Sequence, residues 1–287
     1  MTSPMAIKDI GRPRHDASQP LLAIDEPPPY AVFNPDGAAP ILLLCEHASN
    51  RIPRALGDMG LPHHDRQRHI AWDIGALALA QQLSLSLDAP LFFTNYSRLV
   101  IDCNRPLSAP SFIPEVSETT EIPVNRDLSL AERQRRIDTL FTPFADAVAR
   151  RLDLIEARGD RPFIVGVHSF TPVYFGRQRP WQVGILYGEA VRFAQSLIRG
   201  LSGESGLTVG DNEPYIIHPD EDYTVPVHAD ARKLPGVLLE VRHDLISDLA
   251  GVAAWGERLT QHLKSSVGEA VLAPNPGRSS EQGEKRR

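Results

Sequence analysis

A chain of 287 residues, 42% hydrophobic and 23% charged, has enough apolar side chain to bury a sizeable core, as one large domain or two small ones. A formal charge of -6, with only short arginine clusters, excludes a general nucleic-acid binder, which needs a continuous basic face. No apolar run approaches the roughly 20 residues that cross a bilayer. There is no secretory signal core, and two cysteines are too few for a disulfide scaffold, so a cytoplasmic protein acting on a small molecule is expected.

Residues 1–30 include Pro27-Pro28-Pro29, lack sustained periodicity and read as a flexible arm; residues 273–287 read as a disordered tail. Between them 31–272 reads as a single domain, with no repeat and no Gly/Ser-rich linker. Ile41 to Cys45 is an unbroken apolar run, the pattern of a strand buried on both faces, and Pro53 closes the polar stretch after it. Gly75 to Leu87 reads as a helix stopped by Asp88-Ala89-Pro90. Leu91 to Thr94 and Leu99 to Ile101 are strand-like, and a Pro-rich loop follows.

Ser129-Leu130-Ala131-Glu132 is a capping box, and the apolar residues Ile137, Leu140, Phe141, Phe144, Val148, Leu152 and Ile155 continue it as an amphipathic helix with a kink expected near Pro143. Phe163 to Val167 and Val183 to Tyr187 are strands, and Ala190 to Leu201 is a helix. Val237 to Leu239 is the last strand, and a helix begins after Ser247. Such alternation predicts a three-layer α/β/α sandwich.

Three of the apolar runs end in chemically capable side chains: Glu46 and His47, then His168, then Glu240. On parallel, adjacent strands these would meet at one edge of the sheet, where α/β proteins bind ligands. Two histidines and a carboxylate are the ligand set of catalytic zinc sites, and a second carboxylate serves as base. Asp73 is a candidate third ligand or the N-cap of the helix after it; Glu240 is a candidate base or half of an arginine salt bridge. Arginine forks match carboxylates, so Arg105 with Asn104 can grip a substrate carboxylate while Arg98 polarises a carbonyl, or an arginine here simply pairs with Asp102. Cys45 or Cys103 as nucleophile is a rival chemistry, and a non-catalytic binder another. His63 and His64 read as solvated, His218 and His228 as surface residues, and Tyr215 or Tyr223 as possible covers for substrate.

Taken together, Glu46-His47-Ala48-Ser49-Asn50, the stretch His69 to Gly75, the stretch Ser97 to Pro106, Val167 to Pro172 and Leu239 to Arg242 resemble the N-formylglutamate amidohydrolase family, from about Ile41 to Ile246. That family is related in fold to zinc carboxypeptidases and aspartoacylases, so the resemblance implies a mixed, mostly parallel sheet between helices and a zinc-dependent hydrolase of amides on acidic amino acids. It implies His47 and His168 as metal ligands, Asp73 as the best carboxylate ligand, and Glu240 as the glutamate that activates water. It further implies Arg98 at the carbonyl and Asn104 with Arg105 at a substrate carboxylate. Asn50 stands where the carboxypeptidase pattern has a ligating Glu, which leaves the carboxylate ligand open between Asp73 and Glu46. Glu46 before His47 and Ala48-Ser49 after it mark a divergent branch.

Overall fold

The computed structural model describes residues 19–272. The first part of the expected N-terminal arm, 1–18, and the expected tail, 273–287, lie outside the described residues. The rest of the arm is fastened down, contrary to expectation. Leu21 is fully buried in the core, the Tyr96 hydroxyl donates to the Pro27 carbonyl at 2.7 Å, and Asn95 Nδ2 donates to that of Pro28 at 2.9 Å. An arm without periodicity can still be held by backbone carbonyls, which leave no mark in a sequence.

In chain order the strands are β1 (Tyr30–Phe33), β2 (Ile41–Cys45), β3 (Leu91–Thr94), the hairpin β4 (Val116–Ser117) and β5 (Thr120–Glu121), β6 (Phe163–Phe170), the hairpin β7 (Val173–Tyr174) and β8 (Arg177–Gln178), β9 (Val183–Leu186), β10 (Val209–Asp211) and β11 (Gly236–Arg242). Seven form one sheet in the order β1-β3-β2-β6-β11-β9-β10. Strands β3, β2, β6 and β11 run parallel; β1 pairs antiparallel with β3, and β9 antiparallel with β11. The sheet is therefore mixed and mostly parallel, as the resemblance implied. Strands β2, β6 and β11 are both parallel and adjacent, the condition for their ends to share a site.

Side chains alternate across the sheet. Leu42 and Leu44 of β2 enter a core with Phe141, Phe144 and Val148, whereas Ile41, Leu43 and Cys45 enter a second core with Leu79, Leu83, Leu197 and Leu259. Helix α3 (Thr142–Glu156), which α2 (Leu130–Arg136) leads into, covers the first, and α1 (Ala76–Leu87), α4 (Val191–Ser202) and α5 (Leu249–Leu272) cover the second. The Ser129 hydroxyl accepts from the Glu132 backbone N–H at 3.1 Å, as its capping box predicts. Between α2 and α3 the turns widen into a π-helical segment, Ile137–Phe141, just before Pro143. Proline cannot donate to the turn behind it, and the widened turn absorbs the mismatch expected as a kink.

Two strands run further than their apolar cores. Strand β6 continues through His168 to Phe170, and β11 through Glu240 to Arg242, so these polar residues sit within the ladder, directly opposite one another. The segment Leu99 to Ile101, expected as a strand, is not one; Leu99 and Val100 lie in a turn and Ile101 is irregular. Its apolar side chains are buried in the first core, which explains the strand-like composition without any strand.

Candidate active site

Residues that sequence places far apart converge at the carboxyl ends of β2, β6 and β11, on a cavity of about 500 Å3. His47, Asp73, Arg98, Asn104, Arg105, His168 and Glu240 all line it. Those seven are the expected site residues, and all seven are brought together. His47, Asp73 and His168 are buried, and one ligand atom from each lies within 4.8 Å of the others, a group that could hold a metal ion. The Asp73 Oδ2 atom is 2.8 Å from His168 Nδ1 and 3.4 Å from His47 Nδ1. Asp73 does not cap the helix after it. Gly75 takes that position with φ +80°, where a Cβ would run into the Ile246 carbonyl.

Each imidazole is held from its far side. His47 Nε2 is 2.7 Å from Asp102 Oδ1, and His168 Nε2 is 3.1 Å from Glu46 Oε2, charge-paired though out of line for a hydrogen bond. Glu46 in turn accepts a short hydrogen bond from the Thr224 hydroxyl. With both Nε2 atoms facing carboxylates, both Nδ1 atoms are left facing Asp73, the arrangement that outer carboxylates impose on metal-binding histidines. Glu46 therefore stands behind His168, and Asp73 is the carboxylate grouped with the two histidines.

Electrostatics follow from this packing. Burial opposes the charged form of Asp73, but the His47 charge and hydrogen bonds from both histidines hold its carboxyl well below the usual range. Burial likewise opposes ionised Asp102, and Arg98 and His47 outweigh it. Arg98 donates to Asp102 Oδ2 from Nε at 3.0 Å and from Nη2 at 2.7 Å, and its Nη1 is 3.6 Å from Asp73 Oδ1. Glu240 behaves differently. It forms no ion pair among the described residues, its Oε2 is buried without a partner, and burial pushes its carboxyl up to about 7, with the Asp73 charge adding to the shift against His168, His47 and Arg98. The arginine salt bridge weighed for Glu240 is absent among the described residues, and Arg242 pairs with Asp244 at 2.8 Å.

The two residues expected to grip a carboxylate are partly engaged. Asn104 Oδ1 accepts from the Thr224 backbone N–H at 2.9 Å, which leaves its Nδ2 as the available donor. Arg105 Nη1 donates to Asp222 Oδ1 at 2.9 Å and to the Glu221 carbonyl. His63 and His64 are exposed, as is His218 on the cavity rim, but His228 is buried, contrary to expectation. Burial lowers its pKa to about 4. Of the two tyrosines weighed as covers, Tyr215 lines the cavity, while Tyr223 packs against Phe141 and His228. Both thiols are buried away from the cavity lining, and burial pushes both well above the usual range. Sequence reasoning missed Thr224, Asp222 and the Glu46 pairing; their partners stand more than 100 residues away, and no local pattern marks them.

Residues 39–247 match the family model described as N-formylglutamate amidohydrolase. No curated protein matches the chain significantly. Among solved structures, a gene product of Agrobacterium tumefaciens is 38% identical with a TM-score of 0.85, over 88% of this chain and 99% of its own. An N-formylglutamate amidohydrolase from Ralstonia eutropha JMP134 shares the fold at 19% identity and a TM-score of 0.59, over 84% of this chain and 97% of its own. With the match spanning the strand ends, the imidazoles and the buried glutamate just described, the chain belongs to the N-formylglutamate amidohydrolase family.

Proposed function

We propose that the protein is a zinc-dependent hydrolase of the amide bond in N-formyl or N-acyl amino acids that carry a carboxylate. The observation that carries this reading is the pairing of a buried His47–Asp73–His168 group with an unpartnered Glu240 carboxyl in one cavity. Family membership supports amide hydrolysis. Two imidazole nitrogens and a carboxylate oxygen are the donor set that catalytic zinc takes, and the Nδ1 atoms of His47 and His168 with Asp73 Oδ2 would hold it. Bound there, the cation supplies Lewis acidity that lowers the pKa of water toward about 7 and polarises a carbonyl.

The chain's own residues do the rest. Glu240, with its carboxyl near neutrality, accepts a proton from water at Oε2 and passes one to the departing amine. Arg98, anchored by Asp102, presents guanidinium N–H groups toward the developing negative charge on the carbonyl oxygen. Asn104 Nδ2 and the Arg105 guanidinium bind a substrate carboxylate, which shares the fork with Asp222. Asp102 and Glu46 hold the two imidazoles in register.

The test is metal content and its consequence. Purified protein should carry about one zinc per chain, lose N-formylglutamate hydrolysis on chelation and regain it on adding zinc. Full activity in protein stripped of metal would end this reading.

A further inference from the structure

Three arginines stand at or just behind the cavity, and they differ in what they are paired with. Arg98 is tied to Asp102, and Arg105 to Asp222. Arg179 has no carboxylate partner among the described residues, although only 9% of its surface is exposed. Its guanidinium lies 4.4 Å from the Tyr174 ring centre, 4.8 Å from that of Tyr215 and 5.7 Å from that of Phe170. A cation enclosed by three rings is stabilised by their faces, yet it keeps its full charge. Its one side-chain hydrogen bond among the described residues runs from Nη1 to the Tyr215 hydroxyl oxygen, at 2.9 Å.

That bond has a direction. Guanidinium can only donate, so the Tyr215 oxygen is the acceptor and its own proton is left for another partner. No described residue accepts it. Tyr215 lines the cavity, where Glu240 and Arg98 both act on it electrostatically. Although 41% of the residue is exposed, burial of the phenol, with Glu240 adding, pushes its pKa up to about 12, so it stays a donor at neutral pH. The cavity wall thus holds a hydroxyl proton backed by an uncompensated positive charge, which suits an anionic oxygen.

We propose that Tyr215, held and polarised by Arg179, reads the second carboxylate of an acidic N-acyl amino acid. This rests on the hydrolase reading above, in which Asn104 and Arg105 take the first. Tyr215 touches the substrate; Arg179 is a positioning residue that acts through it. The pair also joins two loops, since Arg179 follows the β7–β8 hairpin and Tyr215 follows β10.

Comparison of N-formylglutamate with N-formylglutamine, whose side chain is neutral, tests the proposal. The zinc-loaded wild type should prefer the glutamate by about tenfold or more in kcat/KM, because a hydroxyl proton backed by the Arg179 charge bonds a carboxylate more strongly than a neutral amide oxygen. Tyr215→Phe should bring the two within about threefold, through a raised KM for the glutamate. Arg179→Lys should act in the same direction and less strongly. If Tyr215→Phe leaves the preference intact, or lowers both substrates in parallel, the proposal fails. Calorimetric binding of both compounds to metal-free protein separates it from the hydrolase reading. Selective binding that depends on Tyr215 without any turnover would sink the hydrolase and leave the proposal standing, whereas equal binding, or none, would overturn the proposal itself.

Discussion

The ionic cluster around Arg136 and the one around His47 are both cut off from water, yet they are built differently. Arg136, fully buried, donates from Nε to Glu132 at 3.1 Å and from Nη1 to Asn125 Oδ1 at 2.7 Å and the Val100 carbonyl at 3.0 Å. Glu132 also receives Arg135, and Asn125 Nδ2 reaches the carbonyls of Leu99 and Pro114. There one carboxylate serves two arginines, and the Nη2 of Arg136 is left without a hydrogen-bond partner among the described residues, so the surplus is of donors. Around His47 the count tips toward acid: Glu46, Asp73, Asp102 and Glu240 meet two imidazoles and Arg98, and atoms of Glu46 and Glu240 are left without hydrogen-bond partners. A surplus of arginine, which stays charged and only donates, holds a shape. A surplus of buried carboxylate costs stability and waits for a cation or a proton.

Substitutions can pull the two apart. The largest effect is expected from Glu240→Gln, which should lower turnover by about 10^2- to 10^4-fold while zinc stays bound. A non-catalytic binder would instead keep its affinity and show no turnover to lose. The same change should stabilise metal-free protein. The Glu240 pKa is raised from 4.5 to about 7, so the folded state holds the extra proton and the wild type loses stability as pH rises through that window. Melting of the two proteins should therefore coincide below about pH 4.5 and diverge toward pH 7, by on the order of 3 kcal/mol. A wild type as stable as the variant at pH 8 would contradict the idea of a costly buried carboxylate.

Arg136→Ala should do the reverse. Removing one side of a buried ion pair costs about 3–5 kcal/mol, toward the low end here because Glu132 keeps Arg135, read as a fall in Tm, while the folded fraction at low temperature keeps its kcat. Equal damage to kcat and Tm would show that the clusters are not separable. The smallest effect is expected from thiol reagents. With Cys45 and Cys103 buried and both thiols pushed up, alkylation of native protein should be slow and leave hydrolysis untouched, and only denatured protein should react fully. Rapid inactivation would revive the cysteine nucleophile.

Much of this difference was legible before any coordinates. Apolar runs that end in Glu46, His47, His168 and Glu240 announce parallel strands delivering polar groups to one edge, because a buried strand must be apolar and its end need not be. Asp73, lying between two elements, was readable as ligand or cap, and only the turn at Gly75 decides between them. What sequence could not give is pairing across distance. Arg105 with Asp222 and Arg179 with Tyr215 follow from how loops land on the sheet, which no periodicity encodes. His228 was misread for a related reason. It lies in a π-helical segment, Thr224–Ala229, too short for a pattern to show which side faces inward.

The turn at Leu99 and Val100 carries a further consequence. The carbonyls of Leu99 and Val100, outside any ladder, are caught by Asn125 and by Arg136 of α2, so the segment that bears Arg98 is moored to a helix rather than to the sheet. Helix α2 and the Arg98 segment are therefore expected to open together, as a unit smaller than the whole molecule. On warming, turnover should be lost while the sheet is still closed, and hydrogen exchange would find the α2 amides opening in step with that loss, ahead of those in β2 and β6.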